Sequence, residues 1–403
     1  MSVAGKQRVI GVDVARGIAL LGMFAVHVFP TFHSNGTPTL VIQVAGGRSA
    51  ATFAVLAGVA LAFLSGGRQA VRGTDRTAVS AGLLVRAALI GAIGLSVGHF
   101  RQADVILVQY AALFVLALPF LGLSRRMLAG AAGIVVAVAP IVLVWAFGHE
   151  LGHDPGDDDN PTAGMLLHPR ALAKVLLISG SYPVIAYLAY ILVGLAIGRS
   201  DLSCARVARR LLAGGLALAV ASWAVADWIT FHLGGLDRLA DAAGDAGPGR
   251  ARNVILWEPI PPDQANWWWL GLRAQHSNST LDLLHTIGCA MALLGLALLV
   301  CRVPVIARLL HPLAAAGSMT LTLYTAHLFV LRTGILAEEF VDLFVLLAVG
   351  SLVFAVAVRA VARTGPVELL VSRAANATRR SVRARLAAVP GFTASAGPPP
   401  ERI

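Results

Sequence analysis

Two constellations in this sequence have residue types and spacing suited to chemistry. The first is HELGHDPGDDD, His149 to Asp159. It contains H-E-x-x-H, the spacing that brings two histidines onto one metal with a glutamate beside the bound water. Asp159 falls where a third ligand would stand. The second constellation is dispersed: His27, Arg48, Asp227, Asp282, His285, Tyr324 and His327 all lie in or at the edge of strongly apolar stretches. Ionisable groups there are costly, so each is a functional hypothesis with a partner to be found. Histidine suits such a place because it titrates near neutrality and serves as base, nucleophile or ligand.

The elements that must position these groups follow from composition. Of 403 residues, 57% are hydrophobic and only 13% charged, which points to a bilayer as the solvent. Apolar runs of about 17–25 residues, enough to cross ~30 Å of hydrocarbon as helix, lie near 13–32, 49–66, 79–98, 104–123, 127–147, 182–199, 211–231, 280–301, 312–333 and 341–363. The expectation is an all-α polytopic bundle of ten spans. The first run is followed by many others and by no small-residue cleavage site, so it reads as a span and not a signal peptide.

Charge sets the orientation. The net charge is +11, from 32 Lys and Arg against 21 Asp and Glu. In a membrane protein this excess belongs to cytoplasmic loops rather than to nucleic acid. The loops with Arg68, Arg72 and Arg76, with Arg125 and Arg126, with Arg199, Arg206, Arg209 and Arg210, and with Arg302 and Arg308 alternate as ten spans require. Both termini then face the cytoplasm of a cell-membrane protein. The basic, Pro/Gly-rich segment 372–403 reads as a disordered tail. Long outer connections cover His33 to Arg48, 148–181 and 232–279. In the last, Trp257 and Trp267–Trp269 suit an interfacial belt or a sugar-stacking surface. Cys204, Cys289 and Cys301 are scattered and form neither a disulfide framework nor a thiolate cluster.

Depth gathers the polar groups. His27 lies ~21 Å along its helix from Asp13, and His327 ~22 Å from Pro312, at 1.5 Å per residue. Tyr324 shares a face with His327, and Asp282 with His285. With Asp227 and Arg48, five helices bring polar groups to one depth, so an outer-leaflet site is expected. Plainer roles stand beside it: helix–helix hydrogen bonding for a histidine, capping for Asp282, and headgroup neutralisation for Arg48. Asp13 and Arg16 read as a structural pair. The HELGH string needs a helix through His149 and His153, yet Gly152, Pro155 and Gly156 favour chain reversal in an acidic outer loop. No metal is therefore expected, and a zinc hydrolase using His149, His153 and Asp159 is the remote alternative.

GVDVARGIALLGMFAVHV, followed by GGRSAATFAVLAGVALAF, resembles the opening of the heparan-α-glucosaminide N-acetyltransferase-like membrane proteins, whose first span begins D-x-x-R-G-x-A-L. QHSNSTLDLLHTIGCAMALLGLALLV and PLAAAGSMTLTLYTAHLFVL resemble the C-terminal half of the bacterial YeiB-like proteins. The resemblance implies a transmembrane acyltransferase domain over 1–371, using cytosolic acetyl-CoA or another acyl-CoA. It also implies a catalytic histidine in or near the loop after the first span, where this chain offers His33 and, earlier, His27. Some YeiB-like relatives are described as transporters.

Acyl transfer needs a deprotonated acceptor and a stabilised oxyanion. His27 is the leading base and His327 the second, with Asp282 or Asp227 to orient an imidazole. Arg48, Tyr324 or His285 would donate to the oxyanion. Arg68, Arg72, Arg76, Arg125 and Arg126 would hold the CoA phosphates, although the positive-inside rule places arginines there in any case. The expected partners are membrane lipids, acyl-CoA and an amine or hydroxyl acceptor on the far side, a glycan or glycolipid among them. A homodimer is left open. The rival is a carrier or flippase; the lack of a repeat and of broken helix pairs in the sequence counts against it.

Overall fold

The computed structural model describes residues 9–100, 102–149, 160–240, 248–258, 267–362 and 364–388. Among these residues the regular structure is helical, with one isolated bridge between Phe32 and Pro38. The helices are α1 (Ile10–Val28), α2 (Leu40–Ala45), α3 (Arg48–Leu64), α4 (Gly73–Val97), α5 (Leu107–Leu116), α6 (Arg125–Phe147), α7 (Pro169–Lys174), α8 (Val184–Gly198) and α9 (Ala205–His232). They continue as α10 (Gly235–Ala240), α11 (Pro248–Trp257), α12 (Thr280–Val300), α13 (Pro304–Leu309), α14 (His311–Gly317), α15 (Thr320–Thr333), α16 (Phe340–Val361) and α17 (Pro366–Ala387).

Each of the ten apolar runs coincides with helix, but not all as a straight span. Among the described residues, seven stretches are long and apolar enough to cross a membrane unbroken. Two more are bent pairs: Pro169–Ser179 with α8 at 58°, and α14 with α15 at 84°. The run at 104–123 gives only the ten-residue α5, followed by a 3-10 turn at Leu118–Gly122. Broken helix pairs, unexpected from the sequence, are thus present.

Small residues make the seams, as expected where lipid removes any hydrophobic drive between helices. A Cβ on Gly194 would stand 1.9 Å from Val55 O, and one on Gly58 2.2 Å from Ile191 O, so α3 and α8 touch backbone to backbone. Gly215, Gly288 and Gly295 make the same close approach between α9 and α12. Gly17 and Gly317 do so between α1 and α14. Arg199 is buried and caps several chain ends at once, donating to Ala62 O, Ser65 O, Gly67 O, Ser65 Oγ and Leu121 O. Its role is to lock α8 to the ends of α3 and the Leu118–Gly122 turn.

The tail expected to be disordered from residue 372 is instead helical through Ala387. Helix α17 lies along α4, where a Cβ on Gly82 would meet Ala375 O at 2.8 Å. Its apolar residues Val371 and Ala375 are buried, and packing of this stripe outweighs the polar composition that suggested disorder.

Candidate active site

The polar groups at one depth divide into separate clusters. The first joins α1 to α15. His27 Nδ1 lies 3.0 Å from His327 Nε2, and the two rings stack at 5.2 Å with 14° between their planes. His327 Nδ1 is bonded to Tyr324 O in its own helix. A carbonyl only accepts, so His327 Nδ1 carries the proton and Nε2 the lone pair. For a neutral pair, assigned from this network, His27 Nδ1–H therefore donates to His327 Nε2. His27 Nε2 is left with a bare lone pair and no hydrogen bond among the described residues. Phe24 and the Tyr324 ring pack on His327 at 4.6 and 4.8 Å, fixing its plane. Tyr324 OH donates to Asp104 O at 3.2 Å.

Two residues not selected from the sequence stand beside this pair. Asp104 lies within electrostatic reach of His27, Tyr324 and His276. His276 sits in the loop before α12 at φ 54°, an uncommon left-handed conformation for a non-glycine residue, and Asn278 repeats it. His276 packs edge-on against Tyr182 at 5.1 Å, with its Nδ1 3.4 Å from Tyr187 OH. Burial holds this imidazole below its ordinary pKa. Strained, buried polar backbone of this kind concentrates at functional sites.

The second cluster is separate in its bonding. Arg48 Nε donates to His285 Nε2 at 3.2 Å, and His285 Nδ1–H donates to Ala219 O at 3.0 Å. Arg48 also donates to Gly46 O, and Cys289 Sγ lies 3.6 Å from His285 Nε2. Both ring nitrogens of His285 are thus engaged. Asp282 is a cap: its N–H donates to Ser279 Oγ at 3.0 Å, while its carboxylate accepts from Asn278 N at 3.1 Å. The arrangement is close to a capping box, with the carboxylate reaching the N–H one residue before the N-cap Ser279. Asp227 is paired with Arg273 at 2.8 Å, and Arg273 lies over Trp223 and Trp257, each at 5.4 Å. Neither carboxylate orients an imidazole. Arg48, Tyr324 and His285 donate respectively to His285 Nε2 and Gly46 O, to Asp104 O, and to Ala219 O.

A cavity of about 180 Å³ reaches Tyr324, whose ring lies edge-on to both histidines. Its wall includes Tyr324, Met23, Arg16, Arg86 and Glu368. Arg86 stands in the middle of α4 and has no hydrogen bond among the described residues. Tyr110 also lines the cavity, and its buried hydroxyl has no partner among them. Arg16 belongs in addition to a second cavity of about 610 Å³, with Asp13, Arg68 and Asp201 on its wall. Arg16 does pair with Asp13, at 3.8 Å, and donates to Leu56 O at 3.0 Å. It nevertheless lines both spaces, a role the pairing alone does not suggest.

Of the predicted donor-site arginines, only Arg68 lines either cavity, the larger one. Arg68 is exposed and pairs with Asp201 at 3.4 Å. Arg76 donates to Pro119 O at 3.0 Å, and Arg72, Arg125 and Arg126 are exposed. His33 is exposed in the loop after α1. In the HELGH string, α6 ends at Phe147 and His149 stacks on Trp145 with Nδ1 2.8 Å from Trp145 O. His153 and Asp159 lie outside the described residues. No cluster of three metal-ligating side chains occurs among the described residues.

The arrangement can therefore take a proton, or an acyl group, at His27 Nε2 while His327 holds the ring. No curated protein matches the chain. The family profile described as heparan-alpha-glucosaminide N-acetyltransferase, catalytic, matches residues 8–226, more than half of the sequence and the part that carries His27, Arg86, Asp104 and Tyr110. On that match the chain belongs to the heparan-α-glucosaminide N-acetyltransferase catalytic family of membrane proteins.

Proposed function

We propose that the protein transfers an acyl group, acetyl in the simplest case, from cytosolic acyl-CoA to an amine or hydroxyl presented at the opposite face of a cell membrane. The observation that carries this reading is the bare Nε2 of His27 in a histidine pair packed on Tyr324, which itself lines a cavity with Arg16 and Arg86. The acyl donor's phosphates would lie in the larger space near Arg68 and Arg16, with the thin pantetheine arm passing Arg86 toward Tyr324. Guanidinium groups are apt partners for phosphate oxygens.

In the reaction, His27 Nε2 removes the acceptor's proton as its nitrogen or oxygen attacks the thioester carbonyl. The new imidazolium keeps donating from Nδ1 to the His327 lone pair, which stabilises it. Tyr110 OH, uncommitted to any described partner, is the donor proposed for the oxyanion. Collapse expels the CoA thiolate, which takes the proton back from His27. Membrane lipids surround the protein, and a glycan or glycolipid is a fitting acceptor beside the Trp267 and Trp268 surface.

The test is transfer of radiolabelled acetyl from acetyl-CoA by purified protein, across a panel of amine and hydroxyl acceptors. Wild type should release CoA and His27→Ala should not. Absence of transfer, hydrolysis and CoA binding in the wild type would overturn the reading. A carrier is the second reading, and the two bent helix pairs favour it. Uptake of unmodified substrate into proteoliposomes, without CoA release, would replace the enzyme with the carrier.

A further inference from the structure

Helix α15 carries both Tyr324 and His327, yet its N-terminus lacks a cap of its own: Met319 supplies no side-chain hydrogen bond. It is also cut off from α14 by the 84° bend, so α14 cannot hold it in line. The missing acceptor comes from a helix beyond it in sequence. Glu368, in the first turn of α17, accepts from Leu321 N at 2.7 Å, from Thr322 N at 3.0 Å and from Thr322 Oγ1 at 2.5 Å. Thr322 Oγ1 in turn accepts from Val367 N at 3.2 Å. A carboxylate at a helix N-terminus meets unpaired N–H groups and the positive end of the dipole together.

The same carboxylate lines the cavity with Arg16 and Arg86 and lies within electrostatic reach of Arg86. An acidic group at this depth is expensive unless it is bonded, and its bonds all go to one turn of α15. His327 follows Thr322 by five residues, ~7.5 Å along the axis. At its other end α17 is held along α4 by the Gly82 contact and by the exposed pair of Arg383 with Asp75.

We propose that Glu368 is a positioning residue: it anchors the free end of α15 so that His327 Nε2 meets His27 Nδ1–H, making the C-terminal helix part of the histidine pair's support. This stands on the geometry of the pair and goes beyond the acyl-transfer reading, because it holds for whatever substrate the pair meets.

Histidine ring-nitrogen NMR tests it without a substrate, using protein labelled with ¹⁵N-histidine in nanodiscs and assigned with His27→Asn and His327→Asn. In the wild type, His27 should show a protonated Nδ1 and a bare Nε2. Glu368→Ala should give mixed tautomers at His27 and raise carbethoxylation of His327 by about tenfold, the worth of one hydrogen bond. Glu368→Gln keeps an acceptor for the two N–H groups and should restore most of the wild-type pattern. Arg383→Ala, at the exposed far end, should leave it intact. An unchanged pattern at both histidines in Glu368→Ala overturns the proposal. Should that variant fail to fold, Thr322→Val decides, because it removes the hydroxyl that Glu368 holds: wild-type tautomers and carbethoxylation rates there would overturn the proposal. Loss of acyl transfer is a separate result, because the tautomers are read with no acyl donor present.

Discussion

His27 Nδ1 stands 3.0 Å from His327 Nε2, although the two residues are 300 positions apart in the chain. The bond has a direction, set by Tyr324 O on the far side of His327. One imidazole is committed at both nitrogens and serves to orient the other, whose Nε2 remains available. Replacing His27 with Ala should lower acyl transfer by about 10²–10⁴-fold, the usual worth of a general base. His327→Asn keeps an oxygen acceptor for His27 Nδ1–H and should lose less than His327→Leu, as measured by labelled acetyl transfer.

Arg86 separates the cavity from the loop arginines as a place for the donor. Arg86→Gln should weaken CoA binding roughly tenfold or more, the scale of one charge-assisted hydrogen bond. Arg125→Gln and Arg126→Gln, both exposed, should change it little. Titration calorimetry of CoA against each purified variant compares them. Equal affinities across the three would show that the pantetheine arm does not pass Arg86.

The glycine seams predict stability. A methyl group at Gly194 has no room beside Val55 O, so Gly194→Ala should cost about 1–3 kcal/mol, as overpacking does. Gly133→Ala, where a Cβ would meet only open space, should be silent. Thermal unfolding in detergent, followed by tryptophan fluorescence, measures both.

The pKa of His276 predicts a pH dependence. Burial holds its folded pKa below the ordinary value, so the unfolded chain takes up the proton first as pH falls. Its contribution to stability is fully present above about pH 6.5, the unfolded value, and is lost as pH drops below that. The fall in melting temperature between pH 7.5 and 5.5 should therefore be smaller in His276→Gln than in wild type. An identical fall would show that this ring does not titrate in the window.

Depth along a helix is legible in a sequence because each residue adds a fixed rise, and this brings His27 and His327 to one level. Azimuth is not legible, because it depends on how helices pack. Arg48, His285, Asp282 and Asp227 share the level but bond to other partners. Arg86, in the middle of an apolar run, satisfies the same criterion as His27 and is overlooked when arginines are assigned to loops by the charge rule. His276 lies just outside an apolar run, and its left-handed backbone leaves no compositional trace. The bend between α14 and α15 is equally silent, since hydropathy is the same for a straight span and a broken one. The family resemblance, by contrast, rests on motifs at both ends of the membrane domain, and the profile match covers the first of them.

Backbone contact along α3 and α8, and again along α9 and α12, has a mechanical meaning. Surfaces that interlock without side chains between them cannot slide by a helical turn without collision. Whatever motion admits a substrate must leave these pairs whole, and the equally close α1–α14 seam with them, and be taken up by the pieces hung between: α15 beyond its bend, short α5, and the His276 loop. The parts free to move are thus the ones that bear His327, Tyr324, Tyr110 and His276, while His27 rides on α1, which is seamed to α14.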